Sequence, residues 1–170
     1  MNMKEEEKKY FQEDLNSDDG TKWHKMLSHV IDKTNFIQFT SGIVDVGDDL
    51  KSRIREAKNH VRFLGFSKNL IEIYPTQFHY QRMHQGHYIV VRLNLASKLK
   101  KKIRSYETLN DFALKYNDDI FDPAFYFNKT SLLWTVSSMN YANLLLTDEE
   151  KLLWQTAGFS LNVSSCCTTI

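Results

Sequence analysis

The sequence predicts a single α+β domain, with a mostly antiparallel sheet and helices packed on one face. Residues 87–95 alternate, with Ile89, Val91, Leu93 and Leu95 on one side and Tyr88, Val90, Arg92 and Asn94 on the other, the period of a strand. Two other stretches repeat at helical spacing: Trp23, Met26, Leu27, Val30 and Ile31, then Leu50, Ile54, Ala57, Val61 and Leu64. Both kinds of pattern are mixed along 170 residues, a length suited to one domain, with no linker long enough to divide it. A 42% hydrophobic and 25% charged composition is that of an ordinary globular protein able to bury a sizeable core.

Residues 1–20 read as an N-terminal arm, charged over 3–15 and either frayed helix or extended chain. The domain itself is expected over 21–163, with 164–170 a tail. Its first helix covers 21–33. Phe36-Ile37-Gln38-Phe39 and Ile43-Val44 read as strand, with Gly42 a bulge or turn between them. Asp48 or Asp49 caps a helix that runs to about Leu64 and stops at Gly65. Leu70-Ile71-Glu72-Ile73-Tyr74 leads through Pro75 to Phe78-His79-Tyr80, and a turn at Gly86 would pair this stretch with 87–95 as a hairpin. Ser97 opens a very basic helix, and Thr108 with Asp111 forms a cap before Leu109, Phe112, Ala113 and Tyr116. Residues 125–136 are aromatic and β-branched, enough for one or two more strands. Thr147-Asp148-Glu149-Glu150 is a capping box whose helix ends at Gly158.

Several function classes are excluded or weakened by composition. No apolar run approaches the roughly 18 residues of a membrane span, and residues 1–7 contain no apolar segment of a secretory signal, so a cytoplasmic location is expected. Two cysteines, the adjacent Cys166 and Cys167, are too few for a disulfide framework or a zinc ribbon. Six glycines form no phosphate-binding loop, and neither HExxH nor a nucleophile elbow is present, so no cofactor is expected.

The net charge of +1 hides a segregated chain. Residues 51–104 carry 13 basic and two acidic side chains, whereas 1–50 carry six and 11, and 105–170 carry three and eight. A middle third this basic calls for an anionic partner, unless the flanking thirds fold beside it and cancel its field. At 100° per residue, Lys51, Arg55, Lys58 and Arg62 fall within about 60° of one another, a stripe suited to phosphates. A second cluster, Lys98, Lys100, Lys101, Lys102 and Arg104, wraps its helix. Between them the expected hairpin offers Tyr74, Phe78, Tyr80 and Tyr88 with Arg82 and Arg92, and aromatics with cations at the rim can stack and hold single-stranded nucleic acid. Strand aromatics also serve as core.

Other constellations carry less. His79, His84 and His87 are close enough in sequence to suggest a zinc or iron site, but no Cys or nearby carboxylate completes the set. Asp118, Asp119 and Asp122 before Pro123 could hold magnesium, yet they also fit turn chemistry. Glu72 stands as a nuclease carboxylate would, with Tyr74 where the catalytic lysine is needed.

The chain order also includes a basic helix ending in Arg62-Phe63-Leu64-Gly65-Phe66 and a hairpin through Gln85-Gly86-His87-Tyr88-Ile89-Val90-Val91. Leu146-Thr147-Asp148-Glu149-Glu150 then precedes a Trp-bearing helix. This arrangement is loosely similar to the phage RegA-type translational repressors, over about residues 36–95 and 146–163. The resemblance implies RNA binding; it leaves the N-terminal extension and some fifty intervening residues outside, and membership of that family is not inferred from it. The sequence therefore points to a non-enzymatic nucleic-acid-binding protein, for RNA or single strands in preference to a specific duplex. The alternatives are an assembly or inhibitor protein that docks on an acidic protein surface, and a metal-dependent hydrolase using the histidines of 79–87.

Overall fold

Among the described residues, eight antiparallel strands form one sheet in the order β3-β4-β2-β5-β6-β7-β1-β8. The strands are β1 (Lys9–Asp14), β2 (Phe36–Val44), β3 (Leu70–His79), β4 (Arg82–Asn94), β5 (Ile120–Phe127), β6 (Thr130–Val136), β7 (Tyr141–Leu146) and β8 (Asn162–Val163). Among the described residues five helices accompany them: α1 (Thr21–Val30), α2 (Leu50–Phe63), α3 (Ser97–Arg104), α4 (Leu109–Leu114) and α5 (Asp148–Thr156). The structure, a computed structural model, describes residues 6–15, 20–79, 82–114 and 120–164, with the backbone alone described at 78, 79, 82–84, 112–114 and 120. No helix among the described residues is long and apolar enough to cross a membrane.

The predicted α+β class holds, and the helical seams explain how its layers meet. Met26, Leu27 and Val30 of α1, Ala57 and Val61 of α2, Leu99 and Ile103 of α3, and Trp154 of α5 all join one buried cluster. They meet there the inward residues of the sheet, among them Ile37, Phe39, Ile89, Val91, Leu93, Phe125, Leu133 and Leu144. The alternate residues of the same strands lie on the opposite face, where a second cluster of Ala124, Trp134 and Val136 packs with Tyr10, Tyr126 and Tyr141.

Local chemistry accounts for the breaks. Gly42, with φ +93°, sits in a register shift of β2 against β4. Pro75 is tolerated because β3 is an edge strand and need not donate on both sides. Gly86 is a correction to the expected hairpin turn: β4 runs through it, and it falls inside a register shift between Thr76–Tyr88 and Phe78–Met83. The β3–β4 pairing continues as far as His79 and Arg82, and residues 80 and 81 lie outside the described residues.

The N-terminal segment also differs from the helix-or-arm reading. Lys9–Asp14 is a strand between β7 and β8, held by Phe11 in the core and by the buried Glu13. The Glu13 Oε2 accepts hydrogen bonds from Ser160 N at 2.7 Å and Leu161 N at 2.9 Å, and its Oε1 pairs with Lys22. Three backbone and charge partners compensate a carboxylate that would otherwise be costly to bury.

Candidate nucleic-acid interface

The cation stripe begins with how α2 starts and stops. Asp49 caps the helix, its side chain accepting from Lys51 N at 3.0 Å. At the other end Gly65 takes φ +76° and donates to Arg62 O, while Phe66 N reaches Val61 O at 3.0 Å. That pair of bonds is a Schellman ending, which needs a residue at ease in the left-handed region. With the apolar seam on the sheet, Lys51, Arg55, Lys58 and Arg62 stand exposed along one flank. Among the described residues none of the four meets a carboxylate. The other flank is occupied differently, with Arg53 paired to Glu56 at 3.0 Å and the His60 Nδ1 3.1 Å from the Ser41 hydroxyl of β2.

The second cluster is divided by its partners. Arg104 donates to Asp32 at 2.6 Å, and that bond holds the exposed Asp32 carboxyl below its usual range; Lys100 acts in the same direction. Arg104 thus ties α3 to the end of α1. The remaining lysines, Lys98, Lys101 and Lys102, recur at positions that share a helix face. They line a cavity of about 400 Å³ between α3 and the Leu64-Gly65-Phe66 turn that ends α2. Leu64, Phe66 and Leu99 supply its apolar lining.

The hairpin residues do not join these cations. Arg92, Tyr74 and Glu72 lie on the sheet face opposite α2 and α3, and Arg92 has several partners there. It pairs with Glu72, donates to Gln38 Oε1 at 3.2 Å, and sits 4.8 Å from the Phe36 ring centre and 5.7 Å from that of Tyr74. The Tyr74 hydroxyl donates to the same Gln38 oxygen at 3.3 Å; burial raises its pKa, with Arg92 opposing. Phe36 in turn stacks on Tyr126 at 4.8 Å with planes 7° apart. Tyr88 is only 6% exposed, which leaves its ring little surface to offer a base. Tyr80 lies outside the described residues, and so does the side chain of Arg82.

One aromatic on the cationic side escaped the sequence reading. Phe63, the last residue of α2, is 80% exposed beside Arg62. Its signal was available, because at 100° per residue it falls opposite the apolar seam, where a phenylalanine has no core to enter.

The remaining candidates are more ordinary. Asp122 is buried at φ +54°, accepts from Ser137 N at 2.7 Å and donates its own N–H to the Ser137 hydroxyl at 2.9 Å, so it joins β5 to the turn that follows β6. Asp118, Asp119, Cys166 and Cys167 lie outside the described residues, as do the side chains of His79 and His84. No group of three or more metal-ligating side chains occurs among the described residues. No family model, curated protein or solved structure matches the chain, and the likeness to the phage repressors stands on the quoted residues alone.

Proposed function

We propose that the chain is a non-enzymatic protein that binds single-stranded nucleic acid, RNA above all, by its phosphates along α2 and α3. The observation that carries this reading is the exposed flank Lys51, Arg55, Lys58 and Arg62, with no carboxylate partner among the described residues. These cations repel one another at i, i+3 and i, i+4 spacing, a cost of a few tenths of a kcal/mol for each of three pairs. A polyanion turns that cost into a gain, since every phosphate neutralised releases condensed counterions. The lysines of α3 gather beside the turn that ends the same helix.

The test is charge reversal. Changing Lys51, Arg55, Lys58 and Arg62 together to Glu should weaken binding to single-stranded RNAs of unrelated sequence about equally, since phosphate contacts position a strand without reading it. Fluorescence anisotropy with labelled oligonucleotides measures this, and the apolar seam beside the stripe requires a thermal melt of the variant alongside. A folded variant that binds as tightly as the parent would make the stripe a solvated face. A parent that ignores RNA and single-stranded DNA but binds an acidic protein would turn the same surface into a protein-docking face.

A further inference from the structure

We propose that the cavity between α3 and the Leu64-Gly65-Phe66 turn receives one unpaired nucleotide of the bound strand, its base on the apolar lining and its phosphate on Lys98, Lys101 and Lys102; the inference rests on the nucleic-acid reading above. At about 400 Å³ the cavity falls within the roughly 300–1,000 Å³ of small-ligand sites. Its chemistry has two halves. Leu64 and Phe66, both only partly buried, offer apolar surface over the buried Leu99, which an inorganic anion cannot use. Lys98, Lys101 and Lys102 concentrate positive charge on one face of α3, and among the described residues none is paired with a carboxylate.

The neutral polar groups at the rim are already engaged. Asn69 donates to Asn94 O at 3.0 Å and the Ser105 hydroxyl donates to Lys102 O at 2.7 Å, and the three ammonium groups are the charged contacts on offer. A ligand that satisfies both halves has a flat or apolar body and a multiply charged anionic end, as a nucleotide does. Position supports the same occupant. The cavity adjoins the C-terminal end of α2, the end at which the stripe finishes with Arg62, so both sets of cations meet at one end of that helix. Tyr74 cannot serve this strand, because it lies with Arg92 on the other face of the sheet.

Backbone amide shifts on the full chain test the site with AMP, ribose 5-phosphate and inorganic phosphate as probes. AMP should move Gly65, Phe66 and residues 97–105 saturably, and ribose 5-phosphate should do so at least tenfold more weakly. Ser105→Tyr, which fills the cavity while leaving every cation in place, should abolish the AMP shifts and weaken single-stranded RNA binding about tenfold. Lys101→Glu provides an independent second variant and should reduce AMP binding in the same way. Equal shifts from AMP and ribose 5-phosphate would overturn the inference, leaving a phosphate contact without a base. RNA binding with no AMP shifts would also overturn it, while the phosphate-binding reading stood. AMP shifts with no RNA binding would remove the nucleic-acid reading and keep a nucleotide site.

Discussion

At the residue scale, type and exposure together decide what a side chain can do. Arg92 and Arg62 look alike in the sequence, but Arg92 is enclosed by Glu72, Gln38, Phe36 and Tyr74 while Arg62 stands on an exposed helix flank. The alternation of β4 placed Arg92 on the outer face; it could not show which side chains cross to it from β2 and β3. Glu13 presents the same difficulty in reverse, as an acid in a charged N-terminal segment that folds inward. Glu13→Ala should cost about 3 kcal/mol, the low end for breaking a buried pair, because Lys22 keeps access to water. Urea unfolding measures this, and a loss under 1 kcal/mol would mean that β1 is held by Phe11 alone.

His29 gives a pH dependence whose sign follows from its surroundings. Burial against Trp154 at 5.3 Å, and then Lys33 at 3.3 Å from its Nε2, hold its pKa below the ordinary value of about 6.5. The unfolded chain therefore takes up a proton at this residue before the folded one does, and stability falls as pH drops below about 6.5. In His29→Gln the fall in melting temperature between pH 7.5 and pH 5.5 should be smaller than in the parent. An identical fall would place the pH sensitivity elsewhere.

At the element scale, helices were more legible than strands. The seams of α1 and α2, the cap at Asp49 and the glycine endings follow from periodicity and local hydrogen bonding, all of which act within a few residues. The Thr147 box is complete: Thr147 Oγ1 accepts from Glu150 N at 3.1 Å, and Glu150 Oε2 accepts from Thr147 N at 2.9 Å. At its far end Gly158 and Phe159 repeat the Schellman bonds of α2, with Phe159 packed edge-on against Trp154 at 4.7 Å. Thr147→Ala should accordingly cost about 1 kcal/mol, read by thermal or urea unfolding; no change would show that α5 is held by Trp154 alone.

The strands β1 and β7 were missed for physical reasons. Tyr141–Leu146 is buried on both faces and so loses the alternation that marks a half-exposed strand. Lys9–Asp14 alternates, but the inward Glu13 disguises it. Gly86 was read as a turn because a glycine between strands usually is one. Here it lies at a shift of register, a choice made by cross-strand pairing that a single strand cannot reveal.

At the scale of the whole molecule, the sheet order bears on whether the acidic thirds mask the basic one. α2 packs over β2, β3 and β4, whereas α5, with Asp148, Glu149 and Glu150 in its first turn, packs on β7. Between β4 and β7 stand β2, β5 and β6, and at about 4.8 Å per strand that is a separation of roughly 19 Å. Exposed charges are screened over about 8 Å at physiological salt, so the acids of α5 do little to the field at α2. The sequence made the cations of α2 and α3 legible as candidates, since one helix period places each set. It did not show that Tyr74 and Arg92 would fold to the opposite face, because that depends on which side of the sheet the helices cover.

The account rests on phosphates meeting the α2 and α3 cations, and the salt dependence of single-stranded RNA binding tests that most directly. Anisotropy titrations between 50 and 300 mM salt should give a log–log slope of about −0.7 for each phosphate contact, so about −5 for the stripe with Lys98, Lys101 and Lys102. The Lys51, Arg55, Lys58 and Arg62 reversal should make that slope shallower by about 3. A slope near zero for the parent, or one that the reversal leaves unchanged, would contradict the account.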